Sequence, residues 1–169
     1  MVDRMRTVVR TFELDDIEEL VRIYRKAFAE PPWNERWSRQ EVIKDLDYAL
    51  CQRNPLVLVA LVGGELVGFT WGYSVPFEEF PFLRGNVGQN TVYMDEIAVD
   101  PTARRMGVGR RLCNTFTQIS AVAFEEIVLR TDESNFASMS LFASLEFSMI
   151  GKIDERYPSR PYLKKELRG

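Results

Sequence analysis

The residues of this chain best suited to do chemistry lie in 93–112, YMDEIAVDPTARRMGVGRRL, which holds two carboxylates and a glycine-spaced loop. Asp95 and Glu96 fall in an apolar, β-branched run. Desolvation there disfavours the charged carboxyl, raising its pKa and making it a better base near neutral pH. Strand alternation puts Tyr93, Asp95, Ile97 and Val99 on one face and Met94, Glu96 and Ala98 on the other, with Asp95 the first choice as base and Glu96 the second. The competing reading makes Asp95 an acceptor of backbone hydrogen bonds at a strand irregularity, and a bulge near Ile97 would exchange the two roles.

Asp100-Pro101 ends this strand and helical periodicity starts at Val108, so Arg104-x-x-Gly107-x-Gly109 opens a helix. The first-turn N–H groups have no intrahelical acceptor and the macrodipole is positive there, so an anion is favoured, while the two glycines let it approach the main chain. A diphosphate fits such a loop. The spacing is neither Gly-x-Gly-x-x-Gly nor a loop ending in Gly-Lys-Ser/Thr, which argues against dinucleotide binding and ATP hydrolysis.

The rest of the chain bounds the possibilities. Its 169 residues suit one domain, 1–169. Lys+Arg of 22 against Asp+Glu of 25 gives a net charge of −3, which offers no general attraction to nucleic acid or an anionic membrane and leaves a cationic substrate as the easier partner. The longest apolar run, 56–62, is far below the ~20 residues of a membrane span, and residues 1–6 lack a signal-peptide core, so a cytoplasmic location is expected. Cys51 and Cys113 have no CxxC spacing and the chain has no histidine, which argues against a metal site or a Cys-His nucleophile.

Around the loop the pattern predicts a strand over 7–12 and a helix with Asp15 as N-cap, Glu18 three residues on, and Ile17, Leu20, Val21, Tyr24 and Phe28 at helical spacing. Pro31-Pro32-Trp33 stops it, and a Ser38/Glu41 capping box opens a second helix. A hairpin over 56–73 turns at Gly63-Gly64-Glu65. After a loop to Asn90 come the strand at 91–99 and a helix with Leu112, Cys113, Phe116 and Ile119 on one face. A strand at 127–130, a helix capped by Asn135 or Ser134, and strands at 147–153 and 162–167 complete the chain.

This order, over 8–167, is similar to the GNAT superfamily of acyl-CoA-dependent N-acyltransferases, as is the Arg104, Gly107, Gly109 spacing. The second half resembles the same family: Asn135 with Ser138, Leu141-Phe142, and Leu145-Glu146-Phe147 match its Asn-x-x-Ala, Leu-Tyr and Leu-Gly-Phe pattern. It departs at Ser138 for Ala, Phe142 for Tyr and Glu146 for Gly. The resemblance implies an α+β fold, a mixed, mostly antiparallel twisted sheet with helices on both faces, and acetyl-CoA as cosubstrate without a metal. It places the pantetheine arm along Ile97, Ala98 and Val99, the diphosphate at Arg104, Arg105, Met106, Gly107, Val108, Gly109 and Arg110, and Asn135 and Phe142 beside the arm. Asn135 reads equally as a plain N-cap. Asp95 falls where the family often carries a catalytic carboxylate, and the Val99 N–H is the expected donor to the oxyanion.

An alkylamine with a pKa near ~10 must lose a proton before attack, which gives the base its work. Phe142 cannot donate a proton to the departing thiolate; Tyr157 or Tyr162 could substitute. The resemblance puts the acceptor between the first two helices (Glu30, Trp33, Glu35, Trp37) and the loop before 91–99 (Phe77, Glu78, Glu79, Phe80, Phe82). That mixture suits an amine cation, or forms a hydrophobic lid with a solvated acidic rim. The activity so implied is N-acetylation of a primary amine, on a small cationic molecule. A peptide N-terminal acetyltransferase and a catalytically idle acyl-CoA-binding module are the alternatives. The C-terminal strand edges could pair a second copy into a homodimer.

Overall fold

The computed structural model describes residues 6–167, and the segment 1–6 read for a signal peptide lies outside them but for its last residue. The elements are β1 (Thr7–Thr11), α1 (Ile17–Ala29), α2 (Arg39–Leu50), β2 (Leu56–Val62), β3 (Glu65–Ser74), β4 (Thr91–Val99), α3 (Val108–Ser120), β5 (Glu126–Arg130), α4 (Phe136–Ser144), β6 (Ser148–Gly151) and β7 (Tyr162–Glu166). The seven strands form one sheet in the order β1-β2-β3-β4-β5-β7-β6, antiparallel everywhere except between β4 and β5. No helix among the described residues is long and apolar enough to cross a membrane.

Alternating side chains feed two cores. Val57, Val59, Phe69, Trp71, Tyr73 and Val128 pack with Leu20, Ile23 and Tyr24 of α1 and Val42 and Leu46 of α2. Leu58, Ala60, Met94, Ile127 and Leu129 pack with Leu112 and Phe116 of α3 and Phe142 of α4. The sheet is thus covered on both faces, and β2 and β3 read as almost unbroken apolar runs because both sides are buried. On β3, Gly68 lets α3 lie close: a Cβ there would stand 3.1 Å from Leu112 Cδ1 and 3.2 Å from Val108 Cγ1.

Local signals hold with three corrections. The Ser38/Glu41 box opens α2, Glu41 N bonding Ser38 Oγ at 3.1 Å and Ser38 N bonding Glu41 Oε2 at 2.7 Å. Asp15 does not cap α1. A short 3-10 turn over Leu14–Asp16 precedes the helix, and the box joins Glu13 to Asp16, whose carboxylate also takes Arg10 at 2.7 and 2.8 Å; that ion pair outcompetes a cap from Asp15. Ile119 is exposed rather than in the core, because the buried stripe of α3 ends through Phe116 and Ser120. The third correction is the parity of β4, taken up with the site. Glu146, where a glycine was the expected residue, holds φ 68, the left-handed geometry that follows a helix end.

The feature that positions the site is a parting of strands. β4 and β5 pair from Thr91↔Glu126 to Met94↔Leu129 and no further. Beyond that point β4 stays with β3 as far as Val99↔Gly68, and β5 stays with β7 as far as Arg130↔Tyr162. A cleft opens between them.

Candidate active site

A β-bulge sits at the mouth of this split. Trp71 pairs with Glu96 and Gly72 with Met94, so Asp95 is the extra residue on β4. Gly72 permits it: a Cβ there would fall 2.2 Å from the Tyr93 carbonyl oxygen. The extra residue breaks the expected alternation. Tyr93 and Ala98, five positions apart, face the α1/α2 core together, while Met94, Ile97 and Val99 join the α3/α4 core. Asp95 and Glu96 therefore no longer oppose each other, and both line one cleft of about 380 Å³.

Both carboxyls are half-buried and line that cleft. Asp95 accepts from the Tyr73 hydroxyl at 3.0 Å and, more distantly, from Trp71 Nε1 at 3.4 Å. Burial, then repulsion from Asp45, push its pKa up to about 6 against these two donors and Arg130. Glu96 is pushed well above the usual carboxylate range by burial and by Asp95 and Asp45. Asp45 of α2 is itself raised by burial, although the Tyr24 hydroxyl donates to it at 2.8 Å. Three neighbouring carboxyls thus resist full ionisation together, a condition for taking up a proton near neutral pH or holding a cation.

On the far side of the split, β4 leaves its outer edge unpaired. Asp100 N donates to Val67 O at 2.7 Å on the β3 side, so by alternation the polar groups of Val99 and Ile97 face the open edge, where an extended chain can bond as an added strand. Just past it, Gly107 takes φ 77 as the residue opening α3, in a conformation that L side chains rarely adopt, and no acidic residue stands in the first turn. The Val108, Gly109 and Arg110 N–H groups begin the helix without intrahelical acceptors, and an anion fits there. A thin, diphosphate-bearing acyl carrier suits the pair of features: open strand edge, then bare helix start.

The structure gathers Asp95, Glu96, Ile97, Asn135 and Phe142 on the cleft. Ala98 instead packs into the α1/α2 core, and Arg104 pairs with Glu30 at the end of α1. Asn135 caps α4, its Oδ1 accepting the Ser138 N–H at 3.2 Å, and it also borders the cleft. Phe142 is 2% exposed and packs edge-on to Phe147 at 5.5 Å. Of the two tyrosines, Tyr157 lines the cleft, whereas Tyr162 is wholly buried against Phe82 and does not.

The expected acceptor walls need correction. Trp33, Glu35 and Trp37 line the cleft, but Glu30 is taken by Arg104, and Phe77, Glu78, Glu79, Phe80 and Phe82 do not line it. The three phenylalanines pack on the α1/α2 core, Phe80 against Tyr93 at 5.3 Å, and Glu79 accepts from Tyr48. Apolar burial recruits that loop to the core. Sequence reasoning missed Asp45 and Arg130. Asp45 sits three residues after Val42 and four before Ala49, both buried, so a carboxylate on the core stripe of α2 was the available signal.

Known proteins share this fold. The family model for the acetyltransferase (GNAT) family matches residues 17–147, from the start of α1 to Phe147 beyond α4, and the chain belongs to that family. It is 28% identical over 147 residues to a mycothiol acetyltransferase of Thermobispora bispora, a match covering 83% of this chain and 46% of that protein. It is 25% identical over 130 residues to the uncharacterized N-acetyltransferase YkwB of Bacillus subtilis, covering 66% and 54%. The chain spans about half the length of these curated relatives. Among solved structures, YncA of Salmonella typhimurium, determined with its cofactor acetyl-CoA, shares the fold at a TM-score of 0.74 and 18% identity, covering 97% of this chain and 95% of that one.

Proposed function

We propose that this protein is an acetyl-CoA-dependent N-acetyltransferase acting on the primary amine of a small molecule. The observation that carries the reading is Asp95: a bulged, donor-poor carboxyl inside the strand split, with its pKa raised to about 6. Acetyl-CoA supplies an acyl thioester. The chain supplies the rest. The loop over 104–110 and the start of α3 receive the diphosphate, and the Ile97 and Val99 main chain holds the extended arm. Asp95, with Glu96 beside it, takes the proton that an ammonium group must lose, directly or through one water. Glu35, Asp45 and the rings of Trp33 and Trp37 bring that ammonium into the cleft. The Val99 N–H, on the open edge, is aimed where negative charge develops on the acyl oxygen.

One feature favours a second reading, an acyl-CoA-binding module without turnover: Phe142 has no hydroxyl to protonate a leaving thiolate. Thiol release measured with a broad amine panel separates the two. The cradle itself is tested by Gly107→Val, which adds bulk and strains the φ of 77. Calorimetry should find CoA binding weakened tenfold or more. If the folded variant bound CoA as tightly as the parent, the diphosphate assignment would be wrong.

A further inference from the structure

The cleft has two walls of opposite charge. Asp45, Asp95 and Glu96 stand on α2 and β4, and Arg130 and Arg160 stand across from them. Arg130 follows Val128 on β5, whose side chain packs into the α1/α2 core, so alternation turns Arg130 to the same face of the sheet as Asp95. Three guanidiniums collect around the Tyr157 ring, Arg130 at 4.4 Å, Arg160 at 4.7 Å and Arg156 at 5.7 Å from its centroid.

These three are not equally satisfied. Arg156 makes two bonds to Asp154, at 2.9 and 2.8 Å, and does not line the cleft. Arg130 has no carboxylate within 4.0 Å among the described residues. Arg160 has only Asp132 at 3.9 Å, and Asp132 already accepts from Ser134 and Ser159. The two guanidiniums that border the cleft are therefore the two without a close carboxylate, Arg160 resting instead over the Trp33 ring at 5.1 Å. Like charges gathered in a partly enclosed site are unfavourable unless an anion completes them. Planar guanidiniums match a carboxylate in particular. A diamine would set its second cation against this wall, and a plain alkylamine would leave it bare.

We propose that the acceptor is a small amino acid, bound with its amine toward Asp95 and Glu96 and its carboxylate between Arg130 and Arg160. This rests on the acetyltransferase reading above and narrows its substrate class. The cleft, about 380 Å³, is of the size that takes a small molecule.

The test compares kcat/KM for a panel of amino acids with that for the amines their decarboxylation would give. Amino acids should lead their matched amines by tenfold or more. Arg160→Gln and Arg130→Gln should each reduce that ratio at least tenfold, and Arg156→Gln should not change it. A preference for the decarboxylated amines, or an unchanged ratio in folded Arg160→Gln, overturns the proposal while leaving the acetyltransferase reading intact. Calorimetry on the CoA-bound protein gives a readout without turnover: N-acetyl amino acids should bind more tightly than N-alkylacetamides, and equal affinity would also overturn it. If no compound releases thiol although CoA binds, the enzyme reading fails, and the calorimetric comparison still judges the anion site.

Discussion

Asp95, in the middle of β4, and Asp100, just past its end, are the same residue type five positions apart, and the protein treats them oppositely. Asp100, 4% exposed, accepts from the Thr102 N–H at 3.0 Å, the Thr102 hydroxyl at 2.8 Å and Arg22 at 2.8 Å. Burial would raise its pKa, but these donors outweigh burial and hold it down to about 2. Asp95 has one good donor, one long one and an acidic neighbourhood, and rises to about 6. Burial is common to both; the supply of donors decides the outcome. A carboxylate saturated with donors pins β4 to α1 through Arg22, whereas one starved of them is available to take a proton.

The largest effect that can break this contrast is on rate. Asp95→Asn should lower kcat/KM by roughly 10²–10⁴-fold, the range of a general base. In the parent, kcat/KM should climb as pH rises through about 6, as Asp95 loses its proton among Asp45, Glu96, Tyr73 and Arg130; the variant should lose that limb. Stability should move the other way. A folded pKa raised from 3.8 to about 6 means the native state binds more protons than the unfolded chain across that window, so stability falls as pH rises through it. Asp95→Asn should therefore be more stable than the parent at pH 7, on the order of 1–3 kcal/mol in denaturant titrations. Greater rate loss from Glu96→Gln would transfer the role to Glu96.

Asp100 should behave as the inverse. Asp100→Ala removes a cap and leaves buried donors unpaired, a loss of about 1–3 kcal/mol. Its depressed pKa contributes stability that is present above the unfolded value of 3.8 and is lost as pH falls toward about 2, so the parent's excess over Asp100→Ala should shrink in acid. An excess that is constant from pH 7 to pH 2.5 would assign the effect to packing alone. A finer adjustment comes from Tyr73→Phe, which deletes the better donor to Asp95. The inflection in kcat/KM should then move upward in pH, and a downward movement would mean that the bond does not stabilise the carboxylate.

The contrast also marks how far the sequence could be read. The element order, the Ser38/Glu41 cap and the bare glycine loop at Gly107 follow from local chemistry, and they stand in the structure nearly where spacing puts them. Asp95 was legible as a buried carboxylate. Its face was not, because a bulge inserts one residue and inverts every parity beyond it. Gly72 was the available sign, as a glycine inside a strand often marks a bulge on the neighbouring strand or a close backbone approach. Asp45 and Arg130 join the site only through tertiary packing, from α2 and from the strand across the split, and no spacing along the chain links them to Asp95.

The smallest expected effect concerns the other end of the reaction, where the donor supply is poorest. Phe142 borders the cleft with a ring that packs on Phe147, and Tyr157 is also on the cleft. Phe142→Tyr places a proton donor beside the split without altering Asp95. A thiol has a pKa near ~8.5, so its thiolate departs at neutral pH with little assistance. The added hydroxyl also needs a partner in a site that is 2% exposed, which opposes any gain. The expected outcome is a single-turnover rate within a few-fold of the parent and an unchanged inflection near pH 6. A tenfold or greater increase would mean that thiolate departure limits the parent, and that its chemistry depends on the missing acid more than on the donor-starved base.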